Sequence, residues 1–184
     1  AGIPTNIRNT NAPEEIGTMI THGAVEEPNP YVITGIAGRL GFSVISVEKA
    51  MMNGEVGFGR KVLQAVEEFG LSFEHMPTGI DTMCVVLSTA ELEPVKEQLT
   101  RRIWETTNPD TLTIHDNMGI IATVGRGMVH NPGTAARLFT ALSRYHINVR
   151  MIDQGSSELS ILVGVDSGEF QQAILAIYDE FVSE

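Results

Sequence analysis

One stretch of sequence decides the fold, and this chain contains it twice. It occurs first at residues 41–87 as GFSVISVEKAMMNGEVGFGRKVLQAVEEFGLSFEHMPTGIDTMCVVL and again at residues 117–163 as NMGIIATVGRGMVHNPGTAARLFTALSRYHINVRMIDQGSSELSILV. The two copies align without a gap at a constant offset of 76 residues. Few positions are identical, but the apolar pattern is kept, and the matched pairs include Gly57 with Gly133, Val66 with Leu142, Phe69 with Tyr145, and Leu87 with Val163. The repeat predicts two copies of one small α/β module, each stabilised by packing on the other.

The composition is that of an ordinary globular protein of 184 residues, of which 42% are hydrophobic and 19% charged. The net charge of -11, with 12 basic residues against 23 acidic ones, argues against nucleic acid as a partner. Cys84 is the single cysteine and lies in an apolar run, so we interpret it as a small buried hydrophobe and expect no intrachain disulfide. Because we recognise neither a signal peptide nor an apolar run of membrane-spanning length, we expect a cytoplasmic protein that does not contact membranes.

The first copy predicts the order strand, helix, strand, strand, helix, strand. Apolar residues at Val62, Leu63, Val66 and Phe69 form the stripe of an amphipathic helix, which Gly70 ends. This order is typical of a ferredoxin-like α+β fold (βαββαβ), with an antiparallel sheet and both helices on one face. The expected elements are strand 42–47, helix 58–69, strands 71–76 and 82–87, a helix that begins near Ala90 because Pro94 must lie in its first turn, and strand 111–115.

The second copy predicts the same elements but ends before its fourth strand. Its last helix is expected to begin at Asp166 as N-cap, with Glu169 completing a capping box. A strand at 31–37, followed by a glycine-rich turn at 38–41, has no partner in the first copy, so we infer that it completes the second sheet. The first module would then be nested within the second. The expected domains are an opening segment and linker without regular structure at 1–30, a first module at 41–116, and a second module formed by 31–38 with 117–184.

Two kinds of site could bind a small ligand. A glycine loop leads into a helix at 53–58 and again at 125–134, and backbone N–H groups at a helix start suit a carboxylate. Neither loop has the lysine and hydroxyl residue of a Walker A motif, and the glycines could equally serve only the tight turns. In strand 71–76, alternation predicts Leu71 and Phe73 toward the helices, with Ser72 and Glu74 on the opposite face. Glu74 could bind an ammonium group or remain a solvated charge.

Catalytic and metal motifs are not recognisable. The five histidines show neither HxxH nor HExxH spacing, and there is no second cysteine, so we expect no metal site. No segment resembles a nucleophile elbow. The sequence therefore favours a binding module over an enzyme.

In four stretches the chain resembles the C-terminal regulatory region of aspartate kinases, which is built from tandem ACT domains. They are IRNT at 7–10 with GT at 17–18, EKAMM at 48–52 leading to GFG at 57–59, SFEHMP at 72–77, and NVRMI at 148–152 with QGSSE at 154–158. The resemblance covers essentially the whole chain, and it implies that residues 1–30 are the C-terminal tail of the kinase domain followed by a linker. It implies two ACT modules, the first nested in the second, in agreement with the strand that lacks a partner.

The resemblance also implies a function. The full protein would phosphorylate the β-carboxylate of aspartate with ATP, on the way to lysine, threonine and methionine, and this chain would be its feedback sensor. ATP and Mg would belong to a kinase domain that the chain lacks, so we expect neither a cofactor nor catalytic activity here. In lysine-inhibited relatives the effector binds in the first ACT domain at a dimer interface. The implied effector site consists of Met52, Gly57, Phe58, Ser72, Phe73, Glu74 and Thr78.

Alternatives to this interpretation concern the effector and the origin of the chain. Threonine could act with lysine, and the chain could be a naturally separate regulatory subunit that binds a catalytic partner. In the second module Arg150 occupies the position of Glu74, and its positive charge would repel an ammonium group. We therefore expect lysine at the first module only, and a homodimer that the second module supports.

Overall fold

The computed structural model describes residues 3–20 and 32–182, which belong to two compact units, Ala1–Pro30 and Tyr31–Glu184. In the first unit, β1 (Thr5–Ile7) and β2 (Thr18–Ile20) form an antiparallel pair. The expectation of no regular structure is therefore wrong for this part of the opening segment. The physical reason is length, since three-residue strands are too short to show a period-two pattern. The linker expected at 26–30 lies outside the described residues.

The second unit is built on one antiparallel sheet of six strands in the order β4-β5-β3-β6-β8-β7. Short 3-10 turns at Met52–Gly54, Glu93–Val95 and Arg126–His130 join its elements. Along the chain the elements are β3 (Gly35–Glu48), α1 (Phe58–Glu68), β4 (Phe73–His75), β5 (Thr82–Ser88), α2 (Thr89–Leu92), α3 (Lys96–Thr107), β6 (Thr111–Val124), α4 (Thr134–Arg144), β7 (Met151–Asp153), β8 (Ser160–Asp166) and α5 (Phe170–Val182). The α+β class with antiparallel pairing is thus confirmed.

The two central strands are longer than predicted. The sequence indicated a turn at 38–41 and separate strands on either side of it, but β3 runs through these residues as one strand. Gly41 is left out of the pairing with β6, where the register shifts between Leu40 and Phe42. Its φ of +91° is accommodated as a bulge. Because glycine favours both turns and bulges, the sequence could not distinguish them.

The repeat appears in the sheet as a symmetric strand order. Exchanging β4 with β7, β5 with β8 and β3 with β6 gives the same order read backwards. Residues with left-handed backbone also recur at the 76-residue offset, namely Gly41 and Asn117, Gly57 and Gly133, and Gly70 and His146. The two copies of the sequence therefore have matching backbone conformations.

The segment before the first copy pairs with the second copy as expected, but the strand begins at Gly35 and leaves residues 32–34 of the predicted strand outside it. Gly35, Ile36 and Ala37 lie opposite residues 122–124 of β6. Ile33 is buried, and Ile36 packs against the same apolar cluster, whose other members include Ile121, Leu138, Val163 and Ile177. Tyr31, the first residue of the predicted strand, lies outside the described residues. A separate cluster fills the first copy, with Ile45, Val62, Val85, Leu99 and Ile103 among its members.

The helix predicted to begin near Ala90 does begin there, at Thr89, but it is not continuous, and the start predicted for the last helix is wrong. The helix expected near Ala90 is broken into α2, a 3-10 turn that contains Pro94, and α3. Proline has no N–H and cannot continue the hydrogen-bonding of a preceding turn, which explains the break. Asp166 is the last residue of β8 and does not cap a helix, because a turn in which Glu169 N donates to Asp166 O (2.9 Å) precedes α5. None of the described helices is both long and apolar enough to cross a membrane.

Candidate functional site

The site begins at a bulge in edge strand β4. Phe73 pairs with Leu87 and His75 with Val86, so the register shifts at Glu74. Glu74 and His75 consequently line the same hollow, on the face of the sheet away from the helices. This is the face that the alternation predicts for Glu74. Phe73 shares its face with core residue Leu87 but stays 45% exposed, because β4 forms the edge of the sheet.

The hollow lies inside a strongly curved sheet. β4 and β7 are at opposite edges, yet His75 Nδ1 and Asp153 Oδ2 are 3.6 Å apart. The six strands therefore curl into a half-barrel whose edges meet at these side chains. The hollow has a volume of about 280 Å³ and is lined by Ala37, Gly38, Arg39, Phe42, Glu74, His75, Ile120, Ala122 and Leu162. Its wall is mostly apolar, with the charged side chains of Arg39 and Glu74 and the imidazole of His75 as its polar groups.

Glu74 already faces a cation. Its Oε1 accepts a hydrogen bond from Arg39 Nη2 in an ion pair between partly exposed side chains. The Arg39 guanidinium also lies 4.5 Å from the centroid of the Phe42 ring, a cation–π distance. Arg39 could not be identified from sequence, because the pair joins residues that are 35 positions apart and on strands that are not neighbours.

In the loop before α1 the backbone faces the surroundings, while Met52 and Phe58, the two bulky residues predicted for the site, face inward. Gly57 precedes α1 with a φ of +81°, which only glycine adopts without strain. Met52 and Phe58 are buried members of the first-copy cluster. The Phe58 N–H donates to Glu55 O at 3.3 Å, so that helix-start donor is used within the loop. The Met52 N–H donates to Lys49 O at 3.1 Å, so both residues direct their side chains into the core and use their N–H groups within the loop.

Glu55 holds this loop in shape. Its carboxylate accepts hydrogen bonds from Lys49 Nζ at 2.6 Å and Lys61 Nζ at 2.5 Å. The Lys49 bond, then the Lys61 bond, holds the pKa of Glu55 below its usual range. Lys49 Nζ also donates to Thr107 O at 2.8 Å and lies 5.7 Å from the Phe58 ring centroid. The sequence did not single out Glu55, since a lone carboxylate in a loop has no distinguishing pattern.

The same loop is attached to the turn that carries Thr78. Met51 N donates to Asp81 Oδ1 at 2.8 Å, and Asn53 N donates to Ile80 O at 3.2 Å. Thr78 makes a bridge with Met83 across the turn. The structure therefore brings the loop of Met52, Gly57 and Phe58 next to the Thr78 turn. Exposed Ser72 and Phe73 lie at the sheet edge, and Glu74 lies on the concave face.

The second copy carries the opposite charge at the equivalent position. Arg150, 76 residues after Glu74, pairs with Asp166 through Nη2 at 3.0 Å. Gly133 precedes α4 with a φ of +92°, matching Gly57, and Met128 is buried like Met52. The backbone before the helix is alike in the two copies, while the charge at Glu74 and Arg150 is opposite. Among the residues described, no three His, Cys, Asp or Glu side chains are placed to hold a metal ion.

Comparison with known proteins identifies relatives for the whole chain. The family model described as an ACT domain matches residues 121–181. Aspartokinase 3 of Bacillus subtilis (strain 168) is 42% identical over 98% of this chain, which spans 40% of that protein. The crystal structure of aspartate kinase from Clostridium acetobutylicum, described as an allosteric enzyme, superposes with a TM-score of 0.92 at 47% identity. That match covers 98% of this chain and 42% of the other.

A more distant solved structure shares the fold. E. coli aspartokinase III in complex with lysine and aspartate, described as the T-state, matches with a TM-score of 0.74 at 17% identity. The match covers 98% of this chain and 39% of that one. This chain therefore spans about two fifths of the length of each of these three relatives.

Proposed function

Because the chain is homologous to the C-terminal regulatory region of aspartokinases and contains an ACT domain, we propose that it binds an end-product amino acid, lysine in the first instance, and thereby feedback-inhibits aspartate phosphorylation. The catalytic step would belong to a kinase domain outside this chain. The lysine complex of E. coli aspartokinase III supports lysine as the first ligand to test. Threonine as a co-effector is the alternative, and a binding experiment with both amino acids tests it.

The observation that carries the proposal is the partly exposed Glu74 carboxylate, which faces an open hollow on the concave side of the sheet. Glu74 would bind the ammonium group of the effector by a charge-assisted hydrogen bond. Backbone groups around Gly57 would hold the carboxylate, in a loop that Glu55 and Lys49 keep in shape. The remaining proposed contacts are Met52, Phe58, Ser72, Phe73 and Thr78.

The domain organisation that we propose has one ACT module inserted in another. The first module would be 41–116 and the second 31–38 with 117–184. The separate apolar clusters of the two copies support this division, as does the pairing of Gly35–Ala37 with β6. We further propose a homodimer formed through these modules, with the exposed edge residue Phe73 at its interface. Sedimentation of a monomer at micromolar concentration, with and without lysine, would argue against the dimer.

Isothermal calorimetry with lysine, threonine and methionine tests the function, with Glu74→Gln as the key variant. Removing one charge-assisted hydrogen bond costs about 1.5 to 3 kcal/mol, so lysine should bind about 10- to 100-fold more weakly to Glu74→Gln. The variant should fold normally because the side chain is exposed. Unchanged lysine affinity in Glu74→Gln would remove Glu74 from the site. A heat of binding with threonine but not with lysine would make threonine the effector and leave the sensor function intact. The absence of a heat of binding with all three amino acids would contradict the proposal.

A further inference from the structure

The ion pair of Arg39 and Glu74 connects the two copies of the repeat. Arg39 lies on the half of β3 that pairs with the second copy, opposite Ile120 of β6. Glu74 lies on β4, which pairs with β5 of the first copy. The two side chains meet across the open hollow of the half-barrel. A ligand that approaches Glu74 from this hollow therefore also encounters Arg39.

A guanidinium and an ammonium group compete for the same carboxylate oxygens. The Arg39 side chain is 62% exposed and that of Glu74 is 42% exposed. Water screens a pair this exposed, so the bond is weak enough for a ligand to replace. When a ligand displaces Arg39 from Glu74, Arg39 still has a neighbour, because its guanidinium lies 4.5 Å from the ring centroid of buried Phe42. Phe42 offers a rigid aromatic surface on which the displaced cation can rest.

We propose that Arg39 is a built-in competitor for the effector's ammonium group at Glu74, so that the effector must displace Arg39 to bind. This inference rests on the proposed function of Glu74. Arg39 then lowers the apparent affinity for the effector and sets the concentration at which the site fills. Displacement also opens a contact between β4 and the second-copy half of β3, so that binding at the first copy releases a link to the second.

Calorimetric titration of lysine at low ionic strength into four proteins tests the competition. They are the unmodified chain, Arg39→Met, Arg39→Lys and the control Arg150→Met. Arg150 is a similarly exposed arginine that pairs with Asp166 at 3.0 Å, so its replacement removes the same charge without touching Glu74. We expect Arg39→Met to bind lysine about 2- to 5-fold more tightly, in line with the strength of an exposed ion pair. Arg39→Lys and Arg150→Met should stay within about 2-fold of the unmodified chain.

The double variant Arg39→Met with Glu74→Gln gives a second readout. If the two side chains act through each other, Arg39→Met should have no effect on lysine affinity once Glu74 is neutral. An equal gain in Arg150→Met would show that net charge is responsible and would overturn the competition. Weaker binding to Arg39→Met would also overturn it, and would make Arg39 a ligand for the effector's carboxylate.

The two proposals fail in different ways. If the unmodified chain binds lysine and Arg39→Met binds equally or less tightly, the competition is wrong and the sensor function stands. If only Arg39→Met shows measurable binding, both are supported. If none of the proteins binds lysine while circular dichroism shows that all are folded, the proposed function fails, and the competition fails with it.

Discussion

At Gly119 the backbone of β6 passes directly beneath the ring of Phe170. A Cβ at this position would lie 2.4 Å from Phe170 Cδ2 and 3.0 Å from Leu40 Cδ2. Gly38 on β3 is in the same situation, with Phe170 Cζ 2.6 Å from its Cβ position. The sequence interpretation of Gly38 as a turn residue is therefore wrong. Gly38 and Gly119 are strand residues that leave room for an aromatic ring from α5.

Replacing Gly119 with alanine should destabilise the chain by about 1 to 3 kcal/mol, because the ring of Phe170 must move within a packed layer. Gly54→Ala is the matched control, since the Cβ position of Gly54 has no atom within 4 Å and its φ is not positive. Urea unfolding measured by circular dichroism gives the free energy of unfolding for both variants. Equal stabilities of Gly119→Ala and Gly54→Ala would contradict the role of Gly119 as space for Phe170.

Single residues also mark the limit of prediction from sequence. Alternation within one strand was sufficient to place Glu74 on the face away from the helices. Its partner Arg39 could not be predicted, because that contact depends on the curvature of the whole sheet. The inward direction of Met52 and Phe58 was likewise not apparent, since their apolar side chains suit a ligand pocket as well as a core.

At the scale of elements, a polar cluster joins β3, β6 and α3 near the bulge at Gly41. Asp116 Oδ1 accepts a hydrogen bond from Ser43 Oγ at 2.6 Å, and its Oδ2 accepts one from Lys96 Nζ at 2.6 Å. Ser43 is fully buried and also bonds Thr89 at 2.9 Å. The Lys96 bond, then the Ser43 bond, lowers the pKa of Asp116, and the same contact with Asp116 raises the pKa of Lys96. The cluster thus favours the charged forms of both residues.

The Asp116 cluster predicts a stability that falls in acid. A carboxyl whose pKa is lower in the folded state stabilises the fold above its unfolded pKa, and this contribution is lost as pH falls through the folded pKa. Asp116→Asn should therefore lower the free energy of unfolding at pH 7 by about 1 kcal/mol, and the difference should shrink below about pH 4. Urea unfolding from pH 7 to pH 3 measures this. Asp179→Asn, at an exposed position on α5, is the control. A difference that stays constant with pH would contradict the assignment.

Local elements were predicted better than their connections. The end of helix α1 was placed to within a residue because its apolar stripe and Gly70 are both local signals. The strands β3 and β6 were each predicted as two pieces, since Gly41 and Asn117 interrupt the alternation. A bulge is recognised only from the partner strand, which the sequence does not identify. For the same reason two separate sheets were expected where the structure has one.

At the scale of the whole second unit, the two apolar clusters share β3 and β6. Ile45 and Val47 of β3 belong to the first-copy cluster, while Ile36 of the same strand packs against the second-copy cluster. β3 and β6 are hydrogen-bonded to each other along their length. Unfolding the part of these strands that underlies one apolar cluster would therefore expose part of the other cluster. Modules joined only by a flexible linker would unfold separately.

We therefore predict that residues 32–182 unfold in a single cooperative transition, with equal calorimetric and van't Hoff enthalpies. Ile103→Val in the first-copy cluster and Ile177→Val in the second form a matched pair, since both side chains are fully buried. Each should cost about 1 kcal/mol and lower the same Tm by about 2 to 4 °C.

Scanning calorimetry of both variants makes the comparison. Two resolved peaks, with each variant shifting only its own peak, would show that the continuous sheet does not couple the modules. A single peak that shifts in both variants would show that the two copies unfold as one unit, so that a ligand bound only to the folded first copy would stabilise the second as well.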